Sequence, residues 1–373
     1  MFRLQRWSVV GHTIRIGALG AVLAMSAPQA ALAESVATGA GAQVACSGSV
    51  AKHPSGALKS CLLSSTQYPK IVAGAVALAG GKAIEFDLQG HLSSGYLVSP
   101  LMLKTASGSL ALIAAGPVSF VESGALRGGT LNAPASFKTG AGSYVTLLSA
   151  QPVEFDATGV LVGGYLGTSV TLKTGRGTYV SIAPGQVSFF ASGALKAGTL
   201  GTPTTLLTGS GGYLSVAAGK PVEFDATGAI TSGYASSGVT LKTGSGAYVS
   251  VAPGQVYLFE SGALRSGLRG SVPSLKTGSG DVSLLADTPF ELDAAGLLVS
   301  GVTSDVRSAK TGSGSYVSCA KGAPIVFFEP KGVLRRCVLS TSANATGATG
   351  GSSTCAGGKT LSLTDVGTLE SCL

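Results

Sequence analysis

The sequence predicts an all-β fold, an elongated repetitive antiparallel β-meander, from three observations. A turn glycine recurs at a near-constant interval, small and β-branched residues dominate with only 11% charged, and the six cysteines are confined to the end repeats. A β-solenoid is the alternative arrangement of the same short strands.

The repeat is read first, because missing it would misassign the whole chain. Gly56, Gly90, Gly124, Gly159, Gly193, Gly228, Gly262, Gly296, Gly332 and Gly367 follow one another at spacings of 34 to 36 residues, each with an aliphatic residue two places on, so ten units are present. Thr174-Gly-Arg-Gly-Thr-Tyr179, Thr243-Gly-Ser-Gly-Ala-Tyr248 and Thr311-Gly-Ser-Gly-Ser-Tyr316 mark a second point of the same period. Units alternate in type. Pro152-Val-Glu-Phe-Asp-Ala-Thr-Gly159 returns at Pro221 to Gly228, and Gly185-Gln-Val-Ser-Phe-Phe-Ala-Ser-Gly193 returns with small changes at Gly254 to Gly262, so the module is a pair of about 69 residues.

Within a unit the pattern predicts four short strands, for example Tyr248 to Ala252, Val256 to Phe259, Ala263 to Leu268 and Ser274 to Thr277. The Ala-Thr-Gly, Ala-Ser-Gly and Glu-Ser-Gly triplets suit three-residue hairpin loops closing on a left-handed glycine. In Glu154-Phe155-Asp156 the period of two sends Phe155 to one face and both carboxylates to the other. Phenylalanine, leucine and tyrosine are expected to make the buried side. One unit cannot bury its own apolar face, so neighbours must stack and the ends must be special.

The cysteines meet that requirement. Cys61, Cys337 and Cys372 each stand five residues after the turn glycine, where middle units carry Gly129, Gly164, Gly198, Gly233, Gly267 and Gly301. Cys319 stands where others have Ile113, Ile182 and Val251, and Cys46 and Cys355 align there within a residue or two. A glycine opposite an aliphatic side chain has been exchanged for two cysteines, which predicts Cys46–Cys61, Cys319–Cys337 and Cys355–Cys372 as clamps across the hairpin of a single unit. A cysteine metal site lacks any CxxC spacing. Residues 34–340 form the array, Thr341 to Gly351 is Ser/Thr/Ala/Gly-rich so that 341–354 reads as a flexible link, and 355–373 is a disulfide-pinned cap.

At Phe328-Glu-Pro-Lys-Gly332-Val-Leu334-Arg-Arg-Cys337-Val-Leu339 and at His53-Pro-Ser-Gly56-Ala-Leu58-Lys-Ser-Cys61-Leu, the chain resembles the MORN and MORN-like hairpin repeats, including those of exported bacterial proteins. The resemblance implies an elongated, groove-like antiparallel sheet.

Residues 1–33 read as a secretory signal: Arg3, Arg6 and Arg15 precede an uncharged stretch from Ile16 to Ala30 and the small-residue site Ala31-Leu32-Ala33. The apolar stretch is broken by Gly17, Gly20 and Pro28 and falls short of the roughly 20 apolar residues of a span, so no transmembrane span is expected once the signal is removed. The remaining residues carry 22 Lys+Arg against 17 Asp+Glu, a mildly basic balance that favours acidic partners. An oxidising destination, periplasmic, cell-surface or secreted, suits the cysteines. Strands of four to six residues are too short for an outer-membrane barrel, whose strands need about nine.

No catalytic constellation is read. His53 and His91 both sit beside hairpin turns, and Gly357-Gly-Lys-Thr360 shares its repeat phase with Gly80-Gly-Lys-Ala83, so it is a repeat feature rather than a phosphate loop. Three ladders remain. Glu85 with Asp87, Glu154 with Asp156, Glu223 with Asp225 and Glu291 with Asp293 form an acidic ladder that would hold Ca²⁺ if units brought their oxygens together, and otherwise a solvated face. Lys104, Lys138, Lys173, Lys242, Lys276 and Lys310 form a basic one, with Leu207 in place of one lysine. It would attract an anionic polymer, or else neutralise the acidic ladder and guard the sheet edge. Tyr144, Tyr179, Tyr213, Tyr248 and Tyr316, with Leu110 and Val282 assigned to the same phase, are expected to pack in the core.

The most divergent middle unit, residues 275–308, adds Asp281, Asp287 and Asp305 to Glu291 and Asp293, and is where a grafted ligand or ion site would lie. The expected function is an exported, non-catalytic scaffold that presents β-sheet faces to an envelope protein or an anionic polysaccharide, with no cofactor, no metal and no nucleic acid. The alternative is a polysaccharide-binding module or carbohydrate-active enzyme with its site in 275–308.

Overall fold

The computed structural model describes residues 33–71, 74–271, 274–278, 280–347 and 350–373. Apart from Ala33, the expected signal lies outside the described residues. The described residues contain strands, turns and bends but no helix, and the strands run in chain order as one long antiparallel meander. No closed barrel forms, and the strands of the long sheet follow one another in meander order.

Each of the ten units consists of two hairpins, and the two serve different layers. In the fifth unit, Val170–Lys173 and Tyr179–Ile182 pair with each other as a short cover hairpin, tied to the sheet by a single bridge from Ile182 to Leu200. Gly185–Phe189 and Leu195–Thr199 follow and join the continuous sheet, bonding on one side to Leu161–Leu166 and on the other to Pro221–Phe224. Sheet hairpins therefore abut edge to edge from Gln43–Lys52 to Leu369–Cys372, while cover hairpins ride above them. In two places a single bent strand, Gln43–Lys52 and Leu110–Phe120, serves both layers.

Alternation of period two explains why each strand buries one side only. Val153 and Phe155 of the sheet and Phe137, Val145 and Leu147 of the cover all point into the gap between layers, where the Phe137 and Phe155 rings meet edge to face at 5.1 Å. The resulting core is one continuous band from Val36 to Leu363. Units are also interlocked. The tip of each cover hairpin leans forward onto the turn of the next unit's sheet hairpin: Gly140 onto Gly193, Gly175 onto Gly228, Gly209 onto Gly262. Ser107 Oγ donates to the Gly159 carbonyl at 2.8 Å and Ser210 Oγ to that of Gly262 at 3.0 Å across the same contact.

The three disulfides join Cys46 to Cys61, Cys319 to Cys337 and Cys355 to Cys372, with Cα separations of 5.8, 5.8 and 5.7 Å. Their placement corrects one detail of the sequence reading. Cys319 ends a cover strand and Cys337 lies in a sheet strand, so the bond crosses the gap between two hairpins of a unit rather than spanning one hairpin. The same positions in middle units confirm the exchange: a Cβ built on Gly129 would lie 2.8 Å from Ile113 Cγ2, and one on Gly198 would lie 3.0 Å from Ile182 Cγ2. The double substitution Ile182→Cys with Gly198→Cys is thus expected to form a fourth disulfide on oxidative refolding. A closed loop of this length stabilises by about 3 kcal/mol, measurable as a raised denaturation midpoint that reducing agent abolishes.

The link expected at 341–354 is corrected. Ala343–Thr346 pairs antiparallel with Ser352–Cys355 as the tenth cover hairpin. Ala343 and Ala345 point to the core while Asn344 and Thr354 hydrogen-bond at 2.8 Å outside. Side chains this small carry almost no hydropathy contrast, which hid the alternation.

Candidate ligand-binding faces

Two long faces are left open by this construction, one on the outer side of the sheet and one on the outer side of the cover hairpins. Along the sheet, cross-strand register sets one residue per strand into a row running through Glu85, Ser94, Ser119, Gly128, Glu154, Gly163, Ser188, Ala197, Glu223 and Ser232. Successive glutamates are four strands apart, about 19 Å at the usual strand spacing. They do not share an ion site. The aspartates turn inward on their own hairpins instead. Asp156 Oδ1 accepts from Thr158 Oγ1 at 2.7 Å and from the Thr158 and Val160 amides at 2.9 Å, closing the hairpin turn. Asp225 and Asp293 accept from Ala229 and Leu297 in the same way, and Asp87 from His91. Each Glu-x-Asp pair is therefore one outward carboxylate and one turn-forming carboxylate.

Burial pushes the Asp156 carboxyl up, but the hydrogen bonds from Thr158, Val160 and Gly159 outweigh it and hold the group below the usual aspartate range. A folded-state value below the unfolded one means that the stabilisation is present above the unfolded pKa, roughly 4, and is lost as pH falls through the folded value. The stability gap between wild type and Asp156→Ala is accordingly expected to narrow as pH falls from 5 to 3. Denaturant midpoints across that range check it; a constant gap would show that the charge does not matter.

Shallow troughs of about 590 and 760 Å³ lie along the sheet face, the first lined by Glu85, Tyr96, Glu154, Tyr165 and Gln186, the second by Tyr257, Arg265, Glu291 and Arg336. Tyr96, Tyr165 and Tyr234 form a 69-residue ladder that the sequence reading missed, although Gly-Tyr recurs at 95, 164 and 233. Two of these rings are already covered, with Lys82 Nζ 5.4 Å from the centre of Tyr96 and Lys220 Nζ 4.7 Å from that of Tyr234.

The cover face overturns the expectation for the other tyrosines. Tyr144, Tyr179, Tyr213, Tyr248 and Tyr316 are 62 to 69% exposed. Each is the first residue of a cover strand whose second and fourth residues, such as Val180 and Ile182, point inward, so alternation turns the ring to solvent. Leu110 is exposed likewise, whereas buried Val282 aligns one place later, Asp281 being the true counterpart of the tyrosines. Directly across the cover hairpin from each tyrosine stands a ladder residue: Lys138 faces Tyr144, Lys173 faces Tyr179, Lys242 faces Tyr248 and Lys310 faces Tyr316, with Leu207 opposite Tyr213. Directly opposed residues share a face, so these are four Lys–Tyr couples. The basic ladder lies on the face opposite the glutamates and does not neutralise them. On the same face run hydroxyl pairs, Ser136 with Thr146 beside the Lys138–Tyr144 couple at 2.8 Å and Thr205 with Ser215 beside Leu207 and Tyr213 at 3.0 Å.

The acidic residues of the divergent unit do not converge. Asp281 faces Lys276 in a cover hairpin, Asp287 sits at a turn with φ of 56°, Glu291 pairs with Arg265 Nη2 at 3.4 Å, Asp293 closes its own turn, and Asp305 is exposed in another turn. Among the described residues, no three of His, Cys, Asp and Glu are grouped to hold a metal ion. Just before this unit, Arg269 is buried where the corresponding bridge position carries Leu200 or Leu339, its Nη1 donating to the Ser250 carbonyl at 3.2 Å. Both histidines serve turns: His53 Nε2 lies 3.2 Å from the Phe86 carbonyl, and His91 Nδ1 lies 3.2 Å from Asp87 Oδ2.

No family model matches the chain, and no curated protein matches it. Among solved structures, a chain of the Photorhabdus luminescens Tc holotoxin pore is similar at 10% identity with a TM-score of 0.12, over 82% of this chain and 18% of that one. A score that low carries no argument about fold or activity.

Proposed function

We propose that this protein is an exported, MORN-like repeat scaffold that presents two chemically distinct long faces to a partner in the envelope or outside the cell. The observation that carries this reading is repetition at register: the same residue types return to the same row of each face, glutamate on the sheet and lysine beside tyrosine on the cover. A repetitive face suits an extended partner better than a single small substrate, since every unit offers the same contact. Three disulfides fit an oxidising destination. The test is to incubate the purified oxidised protein with anionic and neutral glycans and to assay both retention and newly released reducing ends. Retention without product is the expected result. Product that disappears on Asp281→Asn or Asp287→Asn would replace the scaffold with a carbohydrate-active enzyme.

A further inference from the structure

We infer that the cover face is a track for a linear anionic polysaccharide, engaged about one disaccharide per unit by the Lys–Tyr couples; this rests on the scaffold reading above. Charge favours the cover face, whose strands from Leu101 to Cys355 carry six lysines and Arg307 but a single carboxylate, Asp281, whereas the sheet strands interleave their glutamates with Arg127, Lys196, Arg265, Arg335 and Arg336. The couples' lysines are exposed, and among the described residues none of them forms an ion pair.

The chemistry of each couple matches an acidic sugar. A tyrosine ring offers a flat apolar face to the C–H side of a pyranose, and an ammonium group on the same face, one strand away, meets the carboxylate. The neighbouring hydroxyl pairs supply donors and acceptors for ring hydroxyls. The tyrosine rings are also open to stacking, being at least 62% exposed, while Tyr96 and Tyr234 on the other face already hold a lysine over the ring. Pitch supports the choice of a polymer. Each unit adds two strands to the sheet that carries the cover hairpins, so adjacent units recur about every 10 Å, and the Lys138–Tyr144 and Lys173–Tyr179 couples stand that far apart. That is close to the length of one disaccharide of an extended glycan. Two interior units depart from the couple: Tyr213 stands opposite Leu207 and keeps only the aromatic contact, and Lys276 stands opposite Asp281 and keeps only the ammonium group.

The test uses the full oxidised protein and hyaluronan, which has one carboxylate per disaccharide, as sized oligosaccharides, with neutral dextran and poly(dT) as the other arms. Hyaluronan is expected to bind, with affinity rising with length until the oligosaccharide spans the couples, and dextran is not. Combining Lys138→Gln, Lys173→Gln, Lys242→Gln and Lys310→Gln should weaken binding at least tenfold. Combining Tyr144→Ser, Tyr179→Ser, Tyr248→Ser and Tyr316→Ser should do the same at unchanged net charge. Glu85→Gln with Glu154→Gln, on the opposite face, should leave it unchanged. These lysines are exposed, so that set decides the matter if the tyrosine set fails to fold. Absence of hyaluronan binding, binding indifferent to the lysines or to the tyrosines in a folded variant, or tighter binding to poly(dT) at equal salt would each overturn the track. None of these would touch the scaffold reading, which fails on released product instead.

Discussion

Gly193→Ala is expected to destabilise the protein by about 3 kcal/mol or more, far beyond the usual effect of adding one methyl group at a surface turn. Gly193 has φ of 77°, a conformation that costs an L-residue roughly 1–2 kcal/mol. Its Cβ would also run into the backbone of Gly140 and Ala141, the tip of the preceding unit's cover hairpin. Backbone cannot swing aside as a side chain can, and overpacking of this kind costs a further 1–3 kcal/mol or so. Gly56→Ala is the control, because φ is 84° there but nothing lies within 4 Å of the new methyl, so only the conformational cost remains. In a repeat array stability is a sum of units and their interfaces, so weakening one interface weakens the coupling between the two halves. Denaturant unfolding of Gly193→Ala is therefore expected to show two transitions where Gly56→Ala shows one. Equal losses for the two variants would mean that the forward lean of the cover hairpins contributes nothing.

The turn glycines, the number of units and the cysteine partners were legible because each is a matter of phase. Gly193 or Cys337 can be located by counting from its equivalents, without knowing what lies above it. Layering was not legible. Val180 and Ile182 in the cover alternate as Val187 and Phe189 do in the sheet, so periodicity assigns strands but does not say which layer a strand joins. That ambiguity put Cys319–Cys337 and Cys355–Cys372 within one hairpin, where each joins a cover strand to a sheet strand, while Cys46–Cys61 does lie across two paired strands. The outward tyrosines were legible all the same: Tyr248 begins its expected strand, so burying Val249 and Val251 turns the ring to solvent. The acidic ladder failed for a chemical reason. Glu154 and Asp156 are two residues apart, yet the shorter aspartate reaches back to its own turn amides while the glutamate reaches only solvent.

The disulfides are expected to hold the ends and to leave the middle untouched, and the repeat itself supplies the variant that isolates this effect. Cys319→Ile with Cys337→Gly restores the pair found at Ile182 and Gly198, so packing between the layers is kept and only the cross-link is lost. Closing a loop with a sequence separation of 18 stabilises by about 3 kcal/mol in the chain-entropy account. Cys319→Ser with Cys337→Ser should cost more, because both positions are about 1% exposed and two hydroxyls would be buried there. Each hydroxyl left without a partner adds about 1–3 kcal/mol. Since contacts in a repeat array reach only neighbouring units, the loss should appear as faster amide exchange from Arg307 to Leu373, with exchange from Ala135 to Leu268 unchanged. Hydrogen exchange read by mass spectrometry on peptides from the two regions decides it. An equal rise in both regions would show that the array unfolds as one cooperative body, and the confinement of cysteines to its ends would then need a cause other than fraying.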